Sequence, residues 1–225
     1  MQRARTFLLG AYHDLPNVLF MSALLLGALV GYLPLVYLAL GLIANGAVIA
    51  AFQGLLNLVF PTWGQVVRPA NSLSCDIFGV INGLTTPPSN NGKLTIVAPS
   101  YWIGSAVFFA VFNIYNSMNV MGRDAARGTA TSKVENRRAF TLSTLVIGIV
   151  FLLLVFARGF TGCETWLGGA LGALIGGGMA VIYWDLLDSC GAGTVPDILQ
   201  VVGALAPAGS GSSVPVVCTP PPNPL

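Results

Sequence analysis

Few residues in this chain are of a type and spacing that could do chemistry. The single histidine, His13, stands beside Asp14 ahead of the first apolar run. Acid–base or nucleophilic catalysis needs several convergent His, Asp or Ser groups. A lone histidine at the edge of an apolar span reads as a solvated interface residue. An enzyme using His13 with Asp14 is the weakest of three functional readings. No GxSxG, HExxH, P-loop or dinucleotide fingerprint occurs. The four cysteines, Cys75, Cys163, Cys190 and Cys218, include no CxxC pair, so a zinc site is not expected. No catalytic, metal or cofactor-binding residue is therefore assigned.

Two other patterns concern packing or passage. Asn45, Gln53 and Asn57 are spaced by eight and four residues, so they share one helical stripe. Such a stripe either lines a substrate path or serves as interhelical hydrogen-bond glue, worth on the order of 1 kcal/mol per bond. Glue is the preferred reading. Gly168, Gly172 and Gly176 form an i, i+4, i+8 series, and Gly27 and Gly31 a shorter one. Residues without side chains let helices approach closely, either within one chain or between copies. Both readings stay open, so self-association is one expectation.

The elements that must carry these residues are membrane spans. The 225 residues include only 10 Lys+Arg and 8 Asp+Glu, or 8% charged, against roughly 25% in a soluble domain. Hydrophobic residues make up 55%. A net charge of +2 is too small and scattered for nucleic-acid binding. The expected fold is all-α: a polytopic membrane protein of about five helices, in two helical hairpins plus a central span, with irregular loops outside the bilayer. The apolar runs cover about Leu15–Leu33, Leu35–Phe60, Tyr101–Asn119, Ala139–Ala157 and Trp166–Leu187. A span needs about 20 apolar residues. Tyr32, Trp63, Tyr101, Trp102, Trp166, Tyr183 and Trp184 fall near span ends, as an aromatic belt would. Basic Met1–Arg5 and apolar Leu15–Val30 have signal-peptide features, but the run reads as an uncleaved span.

The chain then divides into segment 1–60 with a first hairpin, a polar loop 61–100, a third span 101–120 and a basic loop 121–138. A second hairpin 139–188 and a Pro/Gly-rich tail 189–225 follow. Five spans put loop 61–100 with the N-terminus and loop 121–138 with the tail. Each side holds five basic residues, so the positive-inside rule does not choose an orientation. The same topology places Cys75 with Cys163, and Cys190 with Cys218. Each pair is either a disulfide or two free thiols.

Shifting the chain by 121 residues aligns Trp63 with Trp184, Asp76 with Asp197, Ile77 with Ile198, Val80 with Val201 and Leu84 with Leu205. Ser22 with Ser143, Gly27 with Gly148 and Gly41 with Gly162 follow suit. The echo is either an inverted repeat, common in transporters, or coincidence helped by biased composition. Tail residues Ala206–Leu225 are rich in Pro, Gly and Ser. Such a segment should be disordered by itself, and needs a protein partner to be held.

Several motifs resemble a multi-pass membrane protein family of nucleocytoplasmic large DNA viruses, particularly the algal ones. APSYWIGSAVFFAVFN (Ala98–Asn113) looks like that family's Pro-Ser-Tyr-Trp lead-in to an aromatic span. KVENRRAF (Lys133–Phe140) is similar to its basic run before the next span. Cys163–Glu164, SCGAGTVPDILQVVGAL (Ser189–Leu205) and PVVCTPP (Pro215–Pro221) follow in the family's order. The resemblance runs from about Cys75 to the C-terminus. It departs at Gln200, where the family usually has Gly, and in a longer tail end.

The resemblance implies a non-enzymatic minor capsid component of a giant-virus virion. Its seat would be the internal membrane, derived from host endoplasmic reticulum during assembly. Expected partners are the lipid bilayer and capsid proteins, through loop 61–100 and tail 189–225, with no nucleic acid and no cofactor. The alternative is a small transporter or channel built on an inverted helical-hairpin repeat.

Overall fold

The computed structural model describes residues 12, 14–59, 66–69, 93–96, 98–122, 131–157 and 165–191. Five long helices carry most of them: α1 (Leu15–Val30), α2 (Leu33–Val59), α3 (Tyr101–Gly122), α4 (Thr131–Ala157) and α5 (Trp166–Gly191). Each follows an apolar run, because in a lipid-facing segment only a helix pairs every backbone N–H and C=O internally. Helices α2, α4 and α5 are long and apolar enough to cross a membrane, and α1 is a shorter apolar helix.

Local chemistry sets the helix ends. Pro16 lies in the first turn of α1, where its missing N–H removes no helical bond. Gly31 ends α1 in the left-handed region at φ 68°, and the Tyr32 N–H donates to the Gly27 carbonyl at 2.8 Å. This is a Schellman-type stop, and it turns the chain directly into α2. Ser100 caps α3, its Oγ accepting from the Ile103 N–H at 3.2 Å. Thr165 caps α5 in the same way, accepting from the Gly168 N–H at 3.0 Å.

Helix α3 is the hub. Its contacts with α5 are parallel: Gly172 lies against Ser100, Gly176 against Gly104, and Trp184 against Asn116. Its contacts with α2 are antiparallel, pairing Gln53 with Pro99, Ile49 with Gly104, and Gly41 with Phe108. Helix α4 is also antiparallel to α3, with Phe151 on Phe109 and Gly148 on Ile114. Helix α1 starts beside α3, with Tyr12 5.3 Å from Trp102. Direction therefore alternates along the chain, and the start of α1 and the end of α5 lie at opposite ends of the bundle.

The core has two parts on either side of α3. One joins Ala23, Leu38, Ala39, Leu42, Phe108, Phe112, Ala180 and Trp184. The other joins Trp102, Ile103, Ala106, Val107 and Val155. Large apolar side chains such as Leu29, Leu58, Ile147, Leu153 and Leu174 face outward, where a bilayer would cover them.

Four expectations change. Loop 61–100 is not wholly irregular: Val66–Pro69 (β1) pairs antiparallel with Lys93–Ile96 (β2). β-branched Val66, Val67, Thr95 and Ile96 suit such a pair. Basic loop 121–138 is partly helix, since α4 begins at Thr131. Polar Lys133–Arg138 favours helix as readily as the apolar run after it. Residues 139–188 do not form a packed hairpin, because α4 and α5 each lie mainly on α3. Among the described residues, the 121-residue echo does not extend to the helices. The shift carries the Gly31–Tyr32 turn onto Leu152–Leu153, inside continuous α4.

Candidate functional site

The glycine series of the last helix and Gln53, both singled out in the sequence, meet the start of α3. The glycine series of α5 runs along its first half. A methyl group at Gly172 would come within 2.5 Å of the Ser100 carbonyl oxygen. One at Gly176 would collide with the Gly104 carbonyl oxygen, and one at Gly168 would meet the Thr165 hydroxyl at 2.7 Å. Two backbones thus meet with no side chain between them. The Ser100 N–H donates across to the Gly168 carbonyl at 2.8 Å, satisfying an orphan donor at the α3 start. The series therefore works within the chain.

Gly27 plays the same part in the α1–α2 hairpin, where a methyl group would meet Val36 Cγ2 at 2.8 Å. Gly31 does not. A methyl group there would touch nothing within 4 Å, and its positive φ makes it the turn residue. The spacing of Gly27 and Gly31 suggests a packing pair, but only the first packs.

The polar stripe on α2 divides into separate cases. Gln53 is buried and its Nε2 donates to the Pro99 carbonyl at 2.7 Å. That bond ties the last turns of α2 to the start of α3. Asn57 is half-buried and also engaged. Asn45 is fully buried, and neither its Nδ2 nor its Oδ1 has a partner among the described residues.

Sequence reasoning missed the polar groups on the far half of α3. Asn116 is buried, its Oδ1 accepting from the Trp184 Nε1–H at 3.2 Å. The Tyr115 hydroxyl donates to Asp185 Oδ1 at 3.2 Å, and its ring meets Trp184 edge-on at 5.0 Å. Asn113 and Asn119 donate to carbonyls one turn back, at 2.7 and 2.9 Å. Ser100 and Gly104 were also missed. Their own i, i+4 small-residue spacing, opposite the glycines of α5, was the available signal.

Of the cysteines, Cys190 is exposed near the end of α5 with a free thiol. Cys75, Cys163, Cys218 and His13 lie outside the described residues. Asp14 is exposed ahead of α1 and makes no side-chain cap bond. Among the described residues, no three His, Cys, Asp or Glu side chains gather as a metal site would need.

No family model, curated protein or solved structure matches this chain. The geometry itself can do one thing well. It locks α2, α3 and α5 together through close backbone contact and interhelical hydrogen bonds, with glutamine and asparagine side chains used between helices, while α4 joins α3 by apolar packing.

Proposed function

We propose that this chain is a structural component of a viral particle, anchored in the internal membrane by a five-helix bundle. The observation that supports this best is the buried face of α3. There Gln53, Asn116 and the glycines of α5 are occupied in holding helices to one another. A fixed anchor needs such rigidity, and the family resemblance from about Cys75 to the C-terminus supplies the viral setting. On this reading α1 and α3 also cross the bilayer, giving five spans. Loop 61–100 continues from the end of α2 and tail 189–225 from the end of α5. These ends lie on opposite faces of the bundle. Capsid contact is therefore made mainly by one of the two segments, and the other faces the particle interior.

A second reading, a small transporter or channel, is favoured by Asn45 alone, since a buried amide without a partner is what a polar path would contain. The repeat that first suggested it is not present in the helices.

Two measurements separate the readings. Purified particles stripped of capsid should retain the chain in their membrane fraction, and its absence from particles contradicts the structural role. Proteoliposomes holding the chain should pass small ions no faster than empty liposomes. A flux that Asn45→Leu abolishes would establish the second reading instead.

A further inference from the structure

With α3 as a ruler, the outward apolar belt of the bundle is not level. The Tyr115 hydroxyl donates to Asp185, so this exposed carboxylate of α5 stands beside the last turns of α3. On α4, Phe151 meets Phe109 and Gly148 meets Ile114, which puts Val146 at the same level. Beyond that level α4 still presents Leu142 and Phe140 outward, over about 9 Å at 1.5 Å per residue. On α1, Gly27 lies against Val36, next to the Tyr37 carbonyl that the Tyr183 hydroxyl reaches. Gly27 is therefore level with the same part of α5, and Leu29 and Val30 lie beyond it, 82% and 71% exposed.

The opposite end shows the reverse offset. Gly168 of α5 lies against Ala98, ahead of the α3 start, and Trp166 and Leu167 are exposed there. Helix α4 stops at Ala157, level with Ile103 when counted from the Phe151–Phe109 contact. Exposed Asp14 precedes α1 near the level where Tyr12 meets Trp102. The apolar bands of α1 and α4 are thus displaced together, by about 9 Å relative to the band of α5. Helix α2, with 27 residues, covers both levels, and Leu33 and Leu58 are exposed at its two ends. The hydrocarbon layer of a bilayer has parallel faces. An upright bundle would either sink the Asp185 carboxylate into hydrocarbon or leave Leu29, Val30, Phe140 and Leu142 in water. Both are unfavourable, and leaning removes both.

We propose that the bundle crosses the bilayer obliquely, leaning until Asp185 of α5, Val30 of α1 and Phe140 of α4 reach one headgroup plane. The inference rests on the five-span reading, because α1 must lie in the layer with α4 and α5. Packing against α3 sets the direction of the lean, since the helix offsets are fixed by those contacts. Tyr115 and Trp184 then sit at the interface, where aromatic residues anchor a span.

Nitroxide labels on single cysteines test this in the full chain in lipid bilayers, with Cys75, Cys163, Cys190 and Cys218 replaced by Ser. Power-saturation EPR with oxygen and a water-soluble nickel chelate reads the depth of each label. Leu142 is at least as far toward that end of α3 as Leu186. Yet Leu142→Cys should lie deeper, with the higher oxygen-to-nickel ratio, and Leu186→Cys should lie at the interface. Ala170→Cys and Phe156→Cys repeat the comparison at the other end, and keep the test valid if a variant of the first pair does not fold. There Ala170→Cys should be the deeper label, although it is farther out along α3. Equal ratios within each pair, or the reverse order, match an upright bundle and overturn the proposal. Labels at all four sites open to nickel and poor in oxygen would overturn the membrane anchor as well.

Discussion

At the scale of single residues, the decisive feature is the missing side chain. At Gly176 the obstacle to any Cβ is the Gly104 backbone oxygen, which cannot rotate away. Gly176→Ala should therefore destabilise the bundle by about 3 kcal/mol, at the upper end of ordinary overpacking. Thermal unfolding in detergent measures it. Gly178 is the control. It is two residues away with open space around its Cβ position, and Gly178→Ala should change stability by no more than about 0.5 kcal/mol. Gln53→Ala removes the donor to the buried Pro99 carbonyl and should cost about 1 kcal/mol by the same measurement. The glycine spacing was legible in the sequence, but its partner was not. Periodicity shows that Gly168, Gly172 and Gly176 share a face, and only the fold shows that Ser100 and Gly104 lie opposite. Gly31 was misread for a related reason: spacing cannot separate a packing glycine from one that a turn needs for its positive φ.

At the scale of elements, the bounds of the apolar helices were readable because hydrophobicity changes abruptly at each end. The exception is α4, seven of whose first eight residues are polar, so hydropathy set its start too late. Its neighbours were not readable either. Chain order suggests that α4 folds back on α5, yet both lie on α3. The cause is that α3 offers α5 a small-residue face and offers α4 an aromatic one, so the better-fitting surfaces meet. The outer face of α4 carries Leu142, Val146, Ile147, Val150, Leu153 and Leu154, all exposed. Ile147→Arg should weaken membrane insertion of α4 by roughly 2.5–3.5 kcal/mol. A glycosylation-reporter insertion assay measures it, and unchanged insertion would place that face against protein instead of lipid.

At the scale of the whole molecule, the proposed five spans, with their alternating directions, would put the two ends of the bundle on opposite sides of a bilayer. With Cys75, Cys163 and Cys218 replaced by Ser, Cys190 reports the α5 end. Asp14→Cys, in the same background without Cys190, reports the α1 end. In sealed vesicles of one orientation, an impermeant thiol reagent should label one site at once and the other only after permeabilisation. Labelling of both without permeabilisation would mean an even number of spans. The scarcity of charge shaped the reading of the whole chain: 8% is enough to mark a membrane protein, but it does not say what the polar segments touch. Cross-linking mass spectrometry on intact purified particles tests that most directly. Lys93 of loop 61–100, through an amine-reactive linker, or Asp197 of the tail, through carbodiimide, should couple to a capsid protein. Cross-links from neither residue to any capsid protein, in particles that contain the chain, would contradict the anchoring role.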